Sequence, residues 1–71
     1  RVLIGCFANL SAVARELADQ PRVDLICAGT DGQVSWEDTL LAGAVVDRLG
    51  GANSRLNDAA LLARINAVQA A

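Results

Sequence analysis

The chain has 71 residues, a formal net charge of −2 and 54% apolar residues, with one Trp, one Phe and no Met or Tyr. A folded unit of this length buries only about 60% of the surface its unfolded chain exposes, so one small domain cored by Leu, Val, Ile and Ala is the most it can hold. Six dispersed Arg, with no Lys and no His, exclude a nucleic-acid footprint, a Schiff-base amine and any His-assisted nucleophile within these residues.

No apolar stretch approaches the roughly 18 residues of a membrane span, and no secretory leader is visible. Arg1 runs straight into the apolar V-L-I-G, which reads as a piece of a longer protein. V-L-I-G-C (2–6) is short, apolar and β-prone, as expected of a strand covered on both faces. Asn9 then stands where a helix cap belongs. Leu10, Val13, Ala14 and Leu17 follow as one buried stripe, with Arg15, Glu16 and Asp19 on the other face. D-Q-P ends that helix near Asp19, because the residue before Pro21 is pushed out of the α region.

V-D-L-I-C-A (23–28) reads as a second apolar strand. Strand, helix and strand together predict a right-handed βαβ unit with two adjacent parallel strands. That register would bring Cys6 and Cys27 together at the carboxyl edge of the sheet as reduced, buried thiols of a cytoplasmic protein. A second helix is expected from Trp36 to about Leu49, with Leu41, Val45 and Leu49 as its stripe, Ala42 and Val46 alongside, and Gly50-Gly51 as its C-cap. Trp36 reads as a packing anchor. After the loop G-G-A-N-S a last helix begins near Asn57 and continues through Leu61, Ile65 and Val68 to about residue 70, losing definition in the alanines at the end.

The predicted order is therefore β-α-β-α-α, a segment of a three-layer α/β/α protein forming one partial domain over residues 1–71, with its core in 2–49. Two strands make a poor sheet, so the parent chain or a second copy is expected to complete it.

The chemistry concentrates at C-A-G-T-D-G-Q-V-S-W-E-D, between the second strand and the second helix. Gly29 and Gly32 bracket Thr30 and Asp31. Glycines there allow positive φ and a close approach of backbone N–H groups to an anion. The helix start at Ser35 adds unpaired amides and the positive end of a dipole. The same residues also read as a plain turn followed by a capped helix, with Ser35 at the N-cap and Asp38 approximating a capping box. An acid beside an anion cradle is costly unless a cation lies between, and Mg²⁺ would reconcile Glu37, Asp38 and Asp31 with a phosphate.

The stretch C-A-G-T-D-G-Q-V-S-W-E-D-T-L-L-A-G-A resembles the 2-phosphosulfolactate phosphatase family, whose pattern is C-A-G-x-x-G-x-(F/V)-S-(L/I)-E-D-x-x-x-A-G-A. V-L-I-G-C-F-A-N-L-S-A-V-A resembles the strand and helix that precede it, so the likeness covers Val2 to about Leu49. Trp36 replaces the usual Leu or Ile, and a T-N-G-T-like motif of the family is absent.

The resemblance implies a longer α/β/α protein, a Mg²⁺-dependent acid phosphatase that converts 2-phosphosulfolactate to sulfolactate, a step towards coenzyme M. Gly29, Gly32, Ser35, Glu37, Asp38 and Gly43 match the pattern. Glu37 and Asp38 become candidates for metal binding and acid–base work, and Gly29, Thr30, Gly32 and Ser35 for substrate binding. Asp31 falls at an open position of the pattern and stands as a third metal candidate. The segment alone is expected to be inactive. A non-catalytic anion-binding or interaction segment, or a relative with another phosphate-ester substrate, is the competing reading.

Overall fold

The computed structural model describes residues 2–50 and 55–70. Among these residues are three α-helices, α1 (Leu10–Leu17), α2 (Trp36–Arg48) and α3 (Asp58–Ala70), and a 3-10 turn over Phe7–Asn9 leads into α1. The predicted three-layer α/β/α order with two parallel strands does not form. Residues 2–6 and 23–28 run without ladder partners, and the pairing seen among the described residues is a single bridge between Thr30 and Gln33.

The physical reason lies in what an all-apolar strand requires. Such a strand is stable when neighbours pair its edges and layers cover both faces, and a lone strand pair is marginal. These segments have neither, and Val2, Ile4 and Ile26 are 89%, 87% and 94% exposed. With no sheet there is no edge to hold the cysteines together. Cys6 and Cys27 are both exposed and unbridged, not buried as expected.

The helices follow the sequence more closely. In α1, Leu10 and Ala14 are buried, Val13 and Leu17 half-buried, and Arg15 and Glu16 exposed, as the stripe predicts. The helix stops at Leu17 rather than Asp19, with turn bonds from Ala18 N to Arg15 O and from Gln20 N to Leu17 O. Asn9 does not cap it. Its side-chain oxygen instead accepts from Cys6 N at 2.8 Å, and its amide donates to Ile4 O at 3.0 Å. The side chain ties the extended segment to the turn before α1, a local bond that competes with the cap.

Helix α2 starts and ends where expected. Val45 and Val46 are buried in it, with Leu41, Ala42 and Leu49 half-buried beside them. Gly50 takes φ 106 and donates to Asp47 O, closing the helix from the left-handed region. Gly51, the other half of the expected cap, lies outside the described residues.

Helix α3 packs against α2 through the face opposite to the one its large residues suggest. Ala63 is buried and Ala60 and Ala67 half-buried, while Leu61, Ile65 and Val68 are exposed. The cause sits on α2. A Cβ at Gly43 would collide with the Ala63 carbonyl oxygen and lie 2.8 Å from the Ala67 Cβ. The helices therefore approach backbone to backbone, a spacing that alanine fills and leucine does not. Arg64 Nε bonds Asp47 Oδ1 at 3.2 Å across the same pair.

Candidate functional site

The glycine corner is built around a two-residue turn. Thr30 N donates to Gln33 O and Gln33 N to Thr30 O, each at 2.9 Å. Between them Asp31 and Gly32 have φ 51 and 74, the doubly positive geometry of a type I′ turn. Asp-Gly is a strong sequence signal for that turn, so the tip at 30–33 is legible in residue types as well as in the bracketing glycines. Gly29, at φ 75, sits under it with its Cβ direction 2.6 Å from Gln33 O.

The start of α2 closes the other side. Ser35 Oγ accepts from Asp38 N at 3.4 Å, and Ser35 O accepts from both Thr39 N and Thr39 Oγ1, at 3.0 and 2.9 Å. Ser35 is thus the N-cap the sequence predicts, and Thr39 reinforces it from one turn on. Asp38 spans the two sides: its Oδ2 accepts from Gly29 N at 2.8 Å, and its backbone oxygen lies 3.6 Å from the Cys27 thiol.

These bonds decide which amides an anion could use. Gly29 and Thr30 already donate, to Asp38 and Gln33. The N–H groups of Asp31 and Gly32 have no acceptor among the described residues, and those of Trp36 and Glu37, in the first turn of α2, have no intrahelical one. Between turn and helix lies an open hollow of about 270 Å³, lined by Cys27, Gly29, Gly32, Gln33, Ser35 and Thr39 among others. Among the described residues no Arg lines it, so the positive character they give it comes from backbone N–H groups and the helix end.

The structure therefore brings Gly29, Gly32 and Ser35 to one hollow, with Asp38 behind it. Glu37 and Asp31 are exposed and do not line it, and Glu37 makes no hydrogen bond or ion pair among the described residues. Among those residues no three acidic or thiol side chains converge on a metal position. Mg²⁺ takes one or two protein carboxylates and completes its shell with water and phosphate oxygens. Among the described residues the corner does not form a complete centre for such an ion. Cys27, Ala28, Gln33, Val34 and Thr39 line the hollow beyond the site residues expected from the sequence. Cys27 was read as core, and Trp36, expected to be an anchor, is 61% exposed.

Residues 1–70 match the family described as 2-phosphosulpholactate phosphatase. A probable 2-phosphosulfolactate phosphatase of Pseudothermotoga lettingae is 38% identical over 64 residues, covering 90% of this chain and 27% of its own length. A protein of the same name in Symbiobacterium thermophilum is 43% identical over 67 residues, covering 90% of this chain and 29% of its own. The 2-phosphosulfolactate phosphatase of Methanothermobacter thermautotrophicus is 39% identical over 64 residues, 86% of this chain and 27% of its own. The chain thus spans little more than a quarter of the length of these relatives. No solved structure matches it.

Proposed function

The chain belongs to the 2-phosphosulpholactate phosphatase family, and from that membership we propose that the whole protein is a phosphoric monoester hydrolase acting on 2-phosphosulfolactate, a small phosphorylated sulfonate. The observation that carries the reading is the family match over residues 1–70, with the glycine corner and S-W-E-D falling inside it. The ester phosphate sits against the unspent N–H groups of Asp31, Gly32 and the first turn of α2, with the Ser35 hydroxyl beside it. Fixed N–H dipoles suit phosphoryl transfer, where positioning and electrostatics do most of the catalytic work. Gly29 and Thr30 act by shape, holding the turn at the distance the phosphate needs.

Glu37 is the carboxylate we assign to metal and proton work, because it is exposed beside those amides and engaged by no other group. Asp31, at the turn tip, is the second candidate. Magnesium is the cofactor we propose for the whole protein; when bound it would neutralise ester charge and acidify a water. Residues outside this segment supply the remaining ligands and the positive charge for the sulfonate, since no Arg among the described residues lines the hollow. By the same reasoning the 71-residue segment alone is inactive. We also place the protein in the cytoplasm, a setting in which exposed free thiols such as Cys6 and Cys27 persist.

The test uses the full-length protein with 2-phosphosulfolactate and a generic aryl phosphate, with and without Mg²⁺. Phosphate release from the first substrate, dependent on Mg²⁺, is expected, and Glu37→Gln should lower kcat by about 100-fold with unchanged melting temperature. Full turnover in Glu37→Gln removes the residue from the site. Absence of turnover on either ester would leave a non-catalytic anion-binding segment as the function.

A further inference from the structure

We infer that Asp38 is a positioning residue that latches the glycine corner to helix α2, and that its contribution to turnover comes through its hydrogen bonds and not through its charge at the reacting phosphate. The inference rests on the functional reading above. Three bonds radiate from this one residue to three lining residues of the hollow. Oδ2 accepts from Gly29 N at 2.8 Å, the backbone N donates to Ser35 Oγ, and the backbone oxygen faces the Cys27 thiol. Asp38 is half-buried, whereas its neighbour Glu37 is exposed.

The corner needs such a latch. Gly29 holds a positive φ and has Gln33 O immediately over it, so the turn can occupy one position only if its base is fixed. The anchor on the helix side is the first turn of α2. Asp38 thereby sets the separation between the amides of Asp31 and Gly32 and those of Trp36 and Glu37, the groups that would meet a phosphate together. A misplacement of about 1 Å in such a constellation can cost on the order of 100-fold in rate. A carboxylate engaged in this way also holds back one of its oxygens from a metal ion.

Asn keeps an acceptor oxygen of the same reach and removes the charge, while Ala removes both. In the full-length protein, labelled with ¹⁵N-glycine, the Gly29 amide should exchange slowly in wild type and Asp38→Asn and about tenfold or more faster in Asp38→Ala, as expected for loss of a charge-assisted bond. Turnover should track this: Asn within several-fold of wild type at an unchanged Mg²⁺ half-saturation, Ala down by about 100-fold in kcat. Asp38→Asn as inactive as Asp38→Ala while Gly29 exchange stays slow would overturn the proposal, since charge would then be the essential property. So would a Mg²⁺ half-saturation weakened in Asp38→Asn as much as in Asp38→Ala. Should wild type hydrolyse neither ester, the functional reading fails separately; equal Gly29 exchange in wild type and Asp38→Ala then sinks the latch on its own.

Discussion

At Gly29 a side chain has nowhere to go, and at Gly32 it has open space. Both take positive φ, but only the Cβ of Gly29 would meet an atom, Gln33 O at 2.6 Å, part of the turn's own bridge. Gly32→Ala is expected to cost only the left-handed backbone penalty of about 1–2 kcal/mol, and Gly32→Asn less, because Asn tolerates that region. Gly29→Ala should cost more and also break the Thr30–Gln33 bridge. Chemical denaturation of the three variants checks the order; a Gly29→Ala no worse than Gly32→Ala would mean the corner relaxes freely. The need for glycine at 29 was legible in the sequence. Which of the two glycines is sterically locked was not, because it depends on where the Gln33 carbonyl falls. Likewise S-W-E-D announced the Ser35 cap, and Asp38's bond to Gly29, nine residues back, could not be read from spacing.

Among the elements, the α2–α3 pair holds most of the packing, and its contact is set by Gly43. Enlarging that position forces the helices apart, so Gly43→Ala should destabilise by about 1–3 kcal/mol and Gly43→Val by more, as for overpacked cores. Helical circular dichroism followed through thermal melting would show it, and an unshifted Gly43→Ala would mean α3 slides without cost. At the start of α3, Asn57 Oδ1 accepts from Ala60 N at 2.9 Å, so Asn57→Ala should cost about 1 kcal/mol by the same measurement. Helix α1 was legible to the residue on its buried face because large and polar residues separate cleanly around it. Helix α3 was not, since Leu61, Ile65, Val68 and Ala60, Ala63, Ala67 offer rival stripes. Size at the partner surface chose between them: only the alanine face fits against a glycine.

For the whole molecule the telling feature is apolar surface without cover. Val2, Ile4, Ile26, Val34 and Trp36 are exposed around the extended segments, and Leu61, Leu62, Ile65 and Val68 along α3. No large side chain is fully buried among the described residues; the core is Leu10, Ala14, Val45, Val46 and Ala63. Small soluble proteins rarely leave contiguous patches of this kind bare. The 71-residue chain by itself is therefore expected to bind an environment-sensitive hydrophobic dye and to self-associate with rising concentration. A whole protein of its relatives' size, about three times longer, should do so far less. Sedimentation of both at matched molarity tests this; a monodisperse, dye-silent segment would contradict it. Among the described residues no helix is long and apolar enough to cross a membrane.

By itself the sequence determined the helices, the Ser35 cap, the glycine corner and the family, because these depend on residue type and short spacing. The two β-prone segments depend on information of the opposite kind. A β-prone segment becomes a strand only when partners pair its edges, and partners are a property of the surroundings, not of the segment. Tertiary structure alone decided that residues 2–6 and 23–28 stay unpaired, that α3 packs through its alanines, and that Asp38 faces the corner while Glu37 faces out. Each of these is fixed by contacts between residues distant in sequence, where steric room and a hydrogen-bond acceptor at the right distance outweigh local preference.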